Sequence, residues 1–536
     1  MKICLKRIIG LFILTILFAS SVSATSLKLN SQSPQQENMD ETDLDPLVDT
    51  TITVEIQKIR SLEKRDLQTH HIEKIDWFSD PDFYVKVFIN NVEFTSPIWH
   101  NERYIENVGW SAKLNVPDDE EIVNIRIELW DWNLGRDKRC DVSCMNYDAT
   151  DNYRTSFGVD LTYSIMTGHW WGDDFAYEEF ISADPSGYGR LNGCDDGSIY
   201  QRERDCELWF DIYQNDFDND NIPYWTEINV YGTDPETCDI GRDDDGDGVP
   251  IEWEHKWGHF AWYNWHEDTY NHFWIYDPFK WEDHANLDPD LDGLYNVEEY
   301  LTSQWGSDPF RQDIFLEIDQ MEIGPNGEGN TIPQLTKDLL KNAFRRHNIV
   351  LHIDDGCMGG GQTNIPFDED TSNSELKNIY LNFFLNGDKN FWRKGVFHYG
   401  LIVYHASYAG FAFVGDDKVD CFQVSTKAHD QIPSRYPILN RIVWADMNME
   451  DIRAVVYAGA MMHETGHTLG IFHGNTPGCD DQEGKKPWQI SFWKWRPYKS
   501  VMNYEYVYKM VDYSDGSRGR NDFNDWGRID LTRFQK

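Results

Sequence analysis

His463, Glu464, His467 and His473 stand at spacings that suit a catalytic metal centre. On a helix, side chains four apart lie one turn above each other, so His463 and His467 can aim both imidazoles at one point while Glu464 lies beside it. Gly470 takes a left-handed conformation at low cost, which lets the chain leave the helix and bring His473 round as a third nitrogen ligand. Three neutral imidazoles on a tetrahedral zinc leave the fourth position to water, and an open position separates a catalytic zinc from a structural one. The bland alternative, a histidine-rich core helix, would bury three imidazoles and a carboxylate without partners, which is costly.

Downstream lies Ser500-Val501-Met502-Asn503-Tyr504. With the His-Glu-Thr-Gly-His-Thr-Leu-Gly-Ile-Phe-His run, it resembles the signature of the metzincin clan of zinc metallopeptidases. The resemblance implies one catalytic zinc on His463, His467 and His473, with Glu464 as general base. It also implies Met502 as the hydrophobic base beneath the ligands, in a Met-turn, and Tyr504 as a donor to the oxyanion. Gly474, after the third histidine, is not the acidic, Ser or Pro residue of the familiar groups, so the subfamily stays open.

Several elements must position these groups. The apolar run Ala454 to Met462 has the composition of a buried helix leading into the ligands. Residues 313–319 and 349–354 read as strands, with a helix from Gln334 to His347 between them, the usual opening of an α/β layer. From Gly400 to Gly415 the chain is apolar and β-prone, suited to a sheet edge along which an extended peptide lies. Residues 525–534 are expected to close the domain, 311–536, as a helix.

Before it, residues 214–310 carry an acidic repeat. A calcium loop needs oxygen ligands at positions 1, 3, 5 and 12, a backbone carbonyl at 7 and a tight turn at 6. Three windows fit: Asp216, Asp218, Asp220, Ile222 and Glu227; Asp243, Asp245, Asp247, Val249 and Glu254; Asp288, Asp290, Asp292, Leu294 and Glu299. Asn221, Gly248 and Gly293 hold the turn position. Two windows are trailed by Tyr231-Gly232-Thr233-Asp234-Pro235 and Trp305-Gly306-Ser307-Asp308-Pro309. The region resembles thrombospondin type 3 or dockerin segments more than an EF-hand sensor, which implies several structural calcium ions and a stiffened stalk. The tryptophans between the second and third windows, Trp253 to Trp281, read as packing material rather than a sugar-binding face.

Residues 49–213 alternate in the manner of half-buried strands at 51–56, 83–89 and 123–129, the pattern of a β-sandwich without long helices. Acidic stretches flank two of these strands. The arrangement resembles a C2 domain, and the resemblance implies Asp76, Asp82, Asp131, Asn133 and Asp137 as calcium ligands, against an equally open reading as solvated loops. The whole is thus a multidomain chain: C2-like sandwich, calcium-loop repeats and α/β metzincin-like catalytic domain.

Residues 1–24 have the basic start, apolar middle and small-residue end of a secretory signal, and 25–48 form a polar, acidic leader. Nine cysteines, one of them Cys4 in the signal, leave eight for up to four disulfides in an oxidising compartment, with Cys357 read as a disulfide partner. A net charge of −44 excludes nucleic acid as a partner and favours a soluble, exported chain. No stable membrane span is expected; a calcium-dependent contact with a surface is compatible with the acidic loops. The function these features define is a secreted zinc endopeptidase acting on protein or peptide. The rival is a calcium-dependent extracellular surface- or carbohydrate-binding protein with a vestigial zinc site.

Overall fold

A computed structural model describes residues 50–534 except 63–64, 67–70, 73–74, 76–78, 118–120, 144–156, 174–188, 195–203, 265–268, 330, 362–364, 415–418, 436–443, 445–446 and 482–486. The signal and leader, residues 1–48, lie outside the described residues. The chain divides into two compact units, residues 1–62 with 74–289 and residues 63–73 with 290–536. Among the described residues, no helix is long and apolar enough to cross a membrane.

The first unit is built on alternation. Strand β1 (Thr51–Ser61) pairs antiparallel with β3 (Trp110–Asn115) on one side and β6 (Cys206–Gln214) on the other. A second antiparallel sheet centres on β4 (Ile122–Asp131), between β2 (Phe83–Ile89) and β5 (Val159–Ser164). Ile52, Val54 and Ile56 from one sheet and Val85, Val87, Ile125 and Ile127 from the other are all buried. Trp170 against Phe210, at 5.6 Å between ring centroids, and Tyr163 Oη donating to Gln214 Oε1 at 3.1 Å join the two sheets into a sandwich. A period-2 sequence leaves one face of each sheet apolar, and packing the two faces together removes both from water.

The calcium-loop region is not a separate stalk. Its first two windows belong to the sandwich unit, and from Asp290 onward the third belongs to the second unit. Thr226 Oγ1 donates to Met166 O at 2.6 Å, and His169 Nε2 lies 2.6 Å from His255 O, so the segment after β6 folds back onto the sandwich. The windows are too short to bury a core of their own, so each borrows one.

In the second unit, β7 (Asp313–Gln320) runs parallel to β8 (Val350–Asp354) and β9 (Phe397–Val403). Beyond β9 come parallel β11 (Cys421–Ser425) and, at the edge, antiparallel β10 (Gly410–Ala412). Helices α1 (Gln334–Arg345) and α2 (Met449–Thr468) cover one face, where Leu340, Phe344, Met461 and Met462 join Ile314, Leu316 and Ile318 in a core. On the other face Phe315, Tyr399 and Leu401 pack with Leu376, Tyr380 and Phe384. Strands buried on both faces tend to read as apolar runs; here 314–316 and 349–351 do so, while Asp313, Glu317, Asp319, His352 and Asp354 are buried polar residues within the same stretches.

Two expectations fail here. Residues 525–534 form turns and a short 3-10 turn, Leu531–Phe534, rather than a closing helix. Asp525 is the reason: its carboxylate accepts from Tyr498 Oη at 2.9 Å and Ser514 N at 3.4 Å, holding the chain extended where a helix would turn away. Nor do four disulfides form. Cys140, Cys238, Cys357 and Cys479 are free thiols, and Cys357 Sγ donates to Ile353 O at 3.5 Å while Cys479 Sγ donates to Asp480 Oδ2 at 3.4 Å. Each of those two sulfurs meets an oxygen close by in sequence instead of a second sulfur.

Candidate metal centres

Helix α2 starts at Asn448, whose side chain accepts from the amides of Glu450 and Asp451, a cap of about 1 kcal/mol, with both acids favourably placed in the first turn. From Ala454 to Thr468 every residue is buried. The helix ends where Gly470 takes a φ of +89°, and Ile471 N donates back to Gly466 O at 2.8 Å. His463 and His467 lie on one face, ring centroids 4.7 Å apart.

All three histidines are fixed in the same tautomer. His463 Nδ1 donates to Val501 O at 2.8 Å, His467 Nδ1 to Ile471 O at 2.6 Å and His473 Nδ1 to Cys479 O at 3.0 Å. A carbonyl only accepts, so each Nδ1 carries a proton and Nε2 is the nitrogen left to face a ligand. That is the orientation expected of metal-ligating imidazoles. The residues present therefore fit a metal ion.

The structure adds a residue that the motif did not contain. The Asp480 carboxylate lies across His463 Nε2 at 3.1 Å and His467 Nε2 at 3.5 Å, and these three side chains bring one donor atom each within 4.8 Å of one another. Burial would raise the Asp480 carboxyl, but the two imidazoles outweigh it and hold it well below the usual range. Burial would likewise lower His463, yet Asp480 and Glu464 push it up to about 9. His473, by contrast, is exposed. No spacing in the sequence marked Asp480; it follows Cys479, whose carbonyl orients His473 in the folded chain.

Glu464 is buried beside the rings, its carboxyl raised by burial and partly restrained by His463 and His467. Its Oε1 occupies the space that a side chain at Gly410 would need, so the carboxylate faces the edge strand β10. Tyr504 stacks on His463 at 5.4 Å, its hydroxyl raised by burial and by Asp480. Met502 is fully buried in the turn closed by Asn503 N donating to Ser500 O at 3.0 Å, beneath Gly466. The His463 and His467 rings thus have the Asp480 and Glu464 carboxylates and the Tyr504 phenol as neighbours.

The acidic windows share a longer plan than their spacing suggested. The position-5 aspartates Asp220, Asp247 and Asp292 each turn Oδ1 to the position-7 amide, of Ile222, Val249 and Leu294 at 2.8, 3.3 and 2.8 Å. Each turns Oδ2 to a distant amide, of Asp239, Glu282 and Asp313 at 3.2, 3.2 and 2.7 Å. Those three acids stand four residues after the prolines of Asp234-Pro235, Asp277-Pro278 and Asp308-Pro309. The Asp-Pro turns are alike too: Thr237, Lys280 and Arg311 amides donate to the aspartate carbonyls at 2.8, 2.9 and 3.0 Å. The second Asp-Pro was legible, but the hairpin 259–274 separates it from its window. At the turn position Asn221, Gly248 and Gly293 have φ of +67°, +104° and +98°.

Donor atoms converge within 4.8 Å in Asp216, Asp218 and Glu227; in Asp220, Glu227 and Asp239; in Asp243, Asp245 and Asp247; and in Asp247, Glu254 and His284. These clusters can bind metal ions. Burial, then Asp220, pushes Glu227 up to about 8, and burial, then Asp247, pushes Glu254 up to about 9. A divalent cation would relieve that repulsion. In the third window Glu299 is raised well above its ordinary value by burial, Asp292 and Asp313. Of the aromatic stretch, Trp253 and Trp257 are buried, as packing requires, and Trp281 is exposed.

In the sandwich loops, Asp82, Asp131, Asn133 and Asp137 do meet, but through protein donors; Asp76 lies outside the described residues. Asp131 accepts from Asp82 N at 3.0 Å and Asn133 Nδ2 at 2.8 Å and lies 3.4 Å from Lys138 Nζ. Asp137 accepts from Asn133 N at 3.0 Å and Tyr84 Oη at 2.9 Å.

No family model matches the chain, and no curated protein matches it. Among solved structures it is similar to a C2 domain of a plant extended synaptotagmin 1, at 15% identity over 17% of this chain and 65% of that one, with a TM-score of 0.14. It is also similar to a second C2 domain at 11% identity over 31% and 98%, TM-score 0.18. The calcium-bound pair of C2 domains of extended synaptotagmin 2 matches at 9% identity over 31% and 45%, TM-score 0.18. The chain spans just under two thirds of the first of these. The β-rich architecture rests on the strand pairing itself.

Proposed function

We propose that this protein is a secreted zinc endopeptidase. The observation that supports it most is that His463, His467 and His473 each give Nδ1 to a carbonyl, which leaves Nε2 to face a ligand, with the buried Glu464 carboxylate beside the first two rings. Zinc, when bound there, supplies Lewis acidity that lowers the pKa of a bound water to about 7 and polarises a carbonyl. Glu464 accepts the proton of the attacking water and later delivers it to the leaving amine. Tyr504 Oη donates to the oxygen that gains charge at the scissile carbonyl. An extended peptide adds to the free edge of β10, which pairs on its other side with β11 and carries Gly410 against Glu464. Met502 holds the turn whose Val501 carbonyl orients His463.

The acidic windows bind calcium in this reading and stiffen the segments they belong to. The C2-like sandwich makes a calcium-dependent contact with a surface only if an ion displaces Lys138 from Asp131. Casein hydrolysis by the purified chain, blocked by phenanthroline and restored by zinc, is the test. An intact, zinc-loaded chain without peptidase activity would favour the surface-binding alternative.

A further inference from the structure

The first two acidic windows are copies of one module, yet they finish their clusters with different atoms. In the first, the position-5 and position-12 acids, Asp220 and Glu227, are joined by the carboxylate of Asp239. In the second, the equivalent Asp247 and Glu254 are joined by the imidazole of His284. His284 is fully buried, its ring set edge-on between Trp253 at 5.8 Å and Tyr276 at 4.8 Å. Its Nε2 lies 3.3 Å from Asp247 Oδ2, 3.7 Å from Glu254 Oε1 and 3.9 Å from Glu282 Oε2.

These separations exceed the roughly 2.7–2.9 Å of a charge-assisted hydrogen bond. They suit donors around an ion, since tetrahedral bonds of about 2.0–2.1 Å put ligand atoms about 3.3 Å apart. Glu254 is 1% exposed, and its Oε1, aimed at His284, has no hydrogen-bond partner. Glu282 Oε2 is buried without one as well. Calcium takes oxygen ligands, whereas imidazole suits zinc and its neighbours. We propose that the second window holds a divalent transition-metal ion, on Asp247, Glu254, Glu282 and His284, where its sister window holds calcium. Position 12 is the strongest calcium ligand of such a loop, so committing Glu254 to the transition metal takes calcium's main anchor from this window.

The test uses Zn2+ as probe on the full chain carrying His467→Ala, which removes the catalytic centre from the count. After dialysis against Zn2+ in millimolar Ca2+, elemental analysis is expected to find one zinc per chain. Adding His284→Asp, which leaves only oxygen donors as in the sister window, should abolish that zinc and raise bound calcium by one. A zinc-free His467→Ala chain, or zinc retained after His284→Asp, overturns the proposal. If the double variant does not fold, zinc X-ray absorption on His467→Ala decides: one imidazole among oxygens is expected, and none or several would overturn the site. Failure of the peptidase reading would show separately, as an equal zinc count with and without His467→Ala.

Discussion

Gly466 has no side chain where Met502 places its sulfur: a Cβ at position 466 would lie 2.5 Å from Met502 Sδ and 3.1 Å from the Tyr513 ring. The residue between the two helical histidines is thus chosen by the turn beneath them. Gly466→Ala should cost about 1–3 kcal/mol by overpacking, despite alanine's better helix propensity. Thermal unfolding measures it. Zinc affinity should fall as well, because Val501, next to Met502, orients His463; an unchanged melting temperature would remove Met502 from this role.

Glu464→Ala should retain zinc and lose activity by roughly 100- to 10,000-fold, the usual contribution of a general base. His467→Ala should lose both. Zinc content and casein hydrolysis, measured on the same preparations, separate the two roles. A zinc-free Glu464→Ala chain would contradict them.

Calcium removal should destabilise the sandwich unit, because its first window is folded onto it. Calcium at about 100 times its Kd is worth about 2.7 kcal/mol per site. Calorimetry with excess chelator should therefore lower the transition of that unit. A free stalk would instead melt on its own and leave the sandwich untouched.

Asp525 supplies a pH test away from the metal centres. It is fully buried, and burial pushes its carboxyl up to about 6, against the hydrogen bonds from Ser500 and Tyr498. The folded value lies above the unfolded one, so its contribution is complete below about pH 4 and is lost as pH rises through 6. Asp525→Asn removes that dependence. The stability of the variant relative to the parent should rise by on the order of 3 kcal/mol between pH 4 and 7. Urea unfolding across that range checks it, and parallel curves would refute it.

Much was legible because it is local. Helical spacing put His463 and His467 on one face, alternation marked strands of both sheets, and loop chemistry placed Asp, Gly and Glu in the acidic windows. What the chain alone left open depends on contacts between distant segments. Asp480 reaches the rings only because the loop after Gly470 folds back. His284 reaches Glu254 only after the hairpin 259–274 closes and brings the second Asp-Pro turn home. Asp525 replaced an expected helix with turns through its bond to Tyr498. Periodicity is written residue by residue; which side chains from remote loops converge is decided by burial, where each polar group must find its partner in whatever else is there.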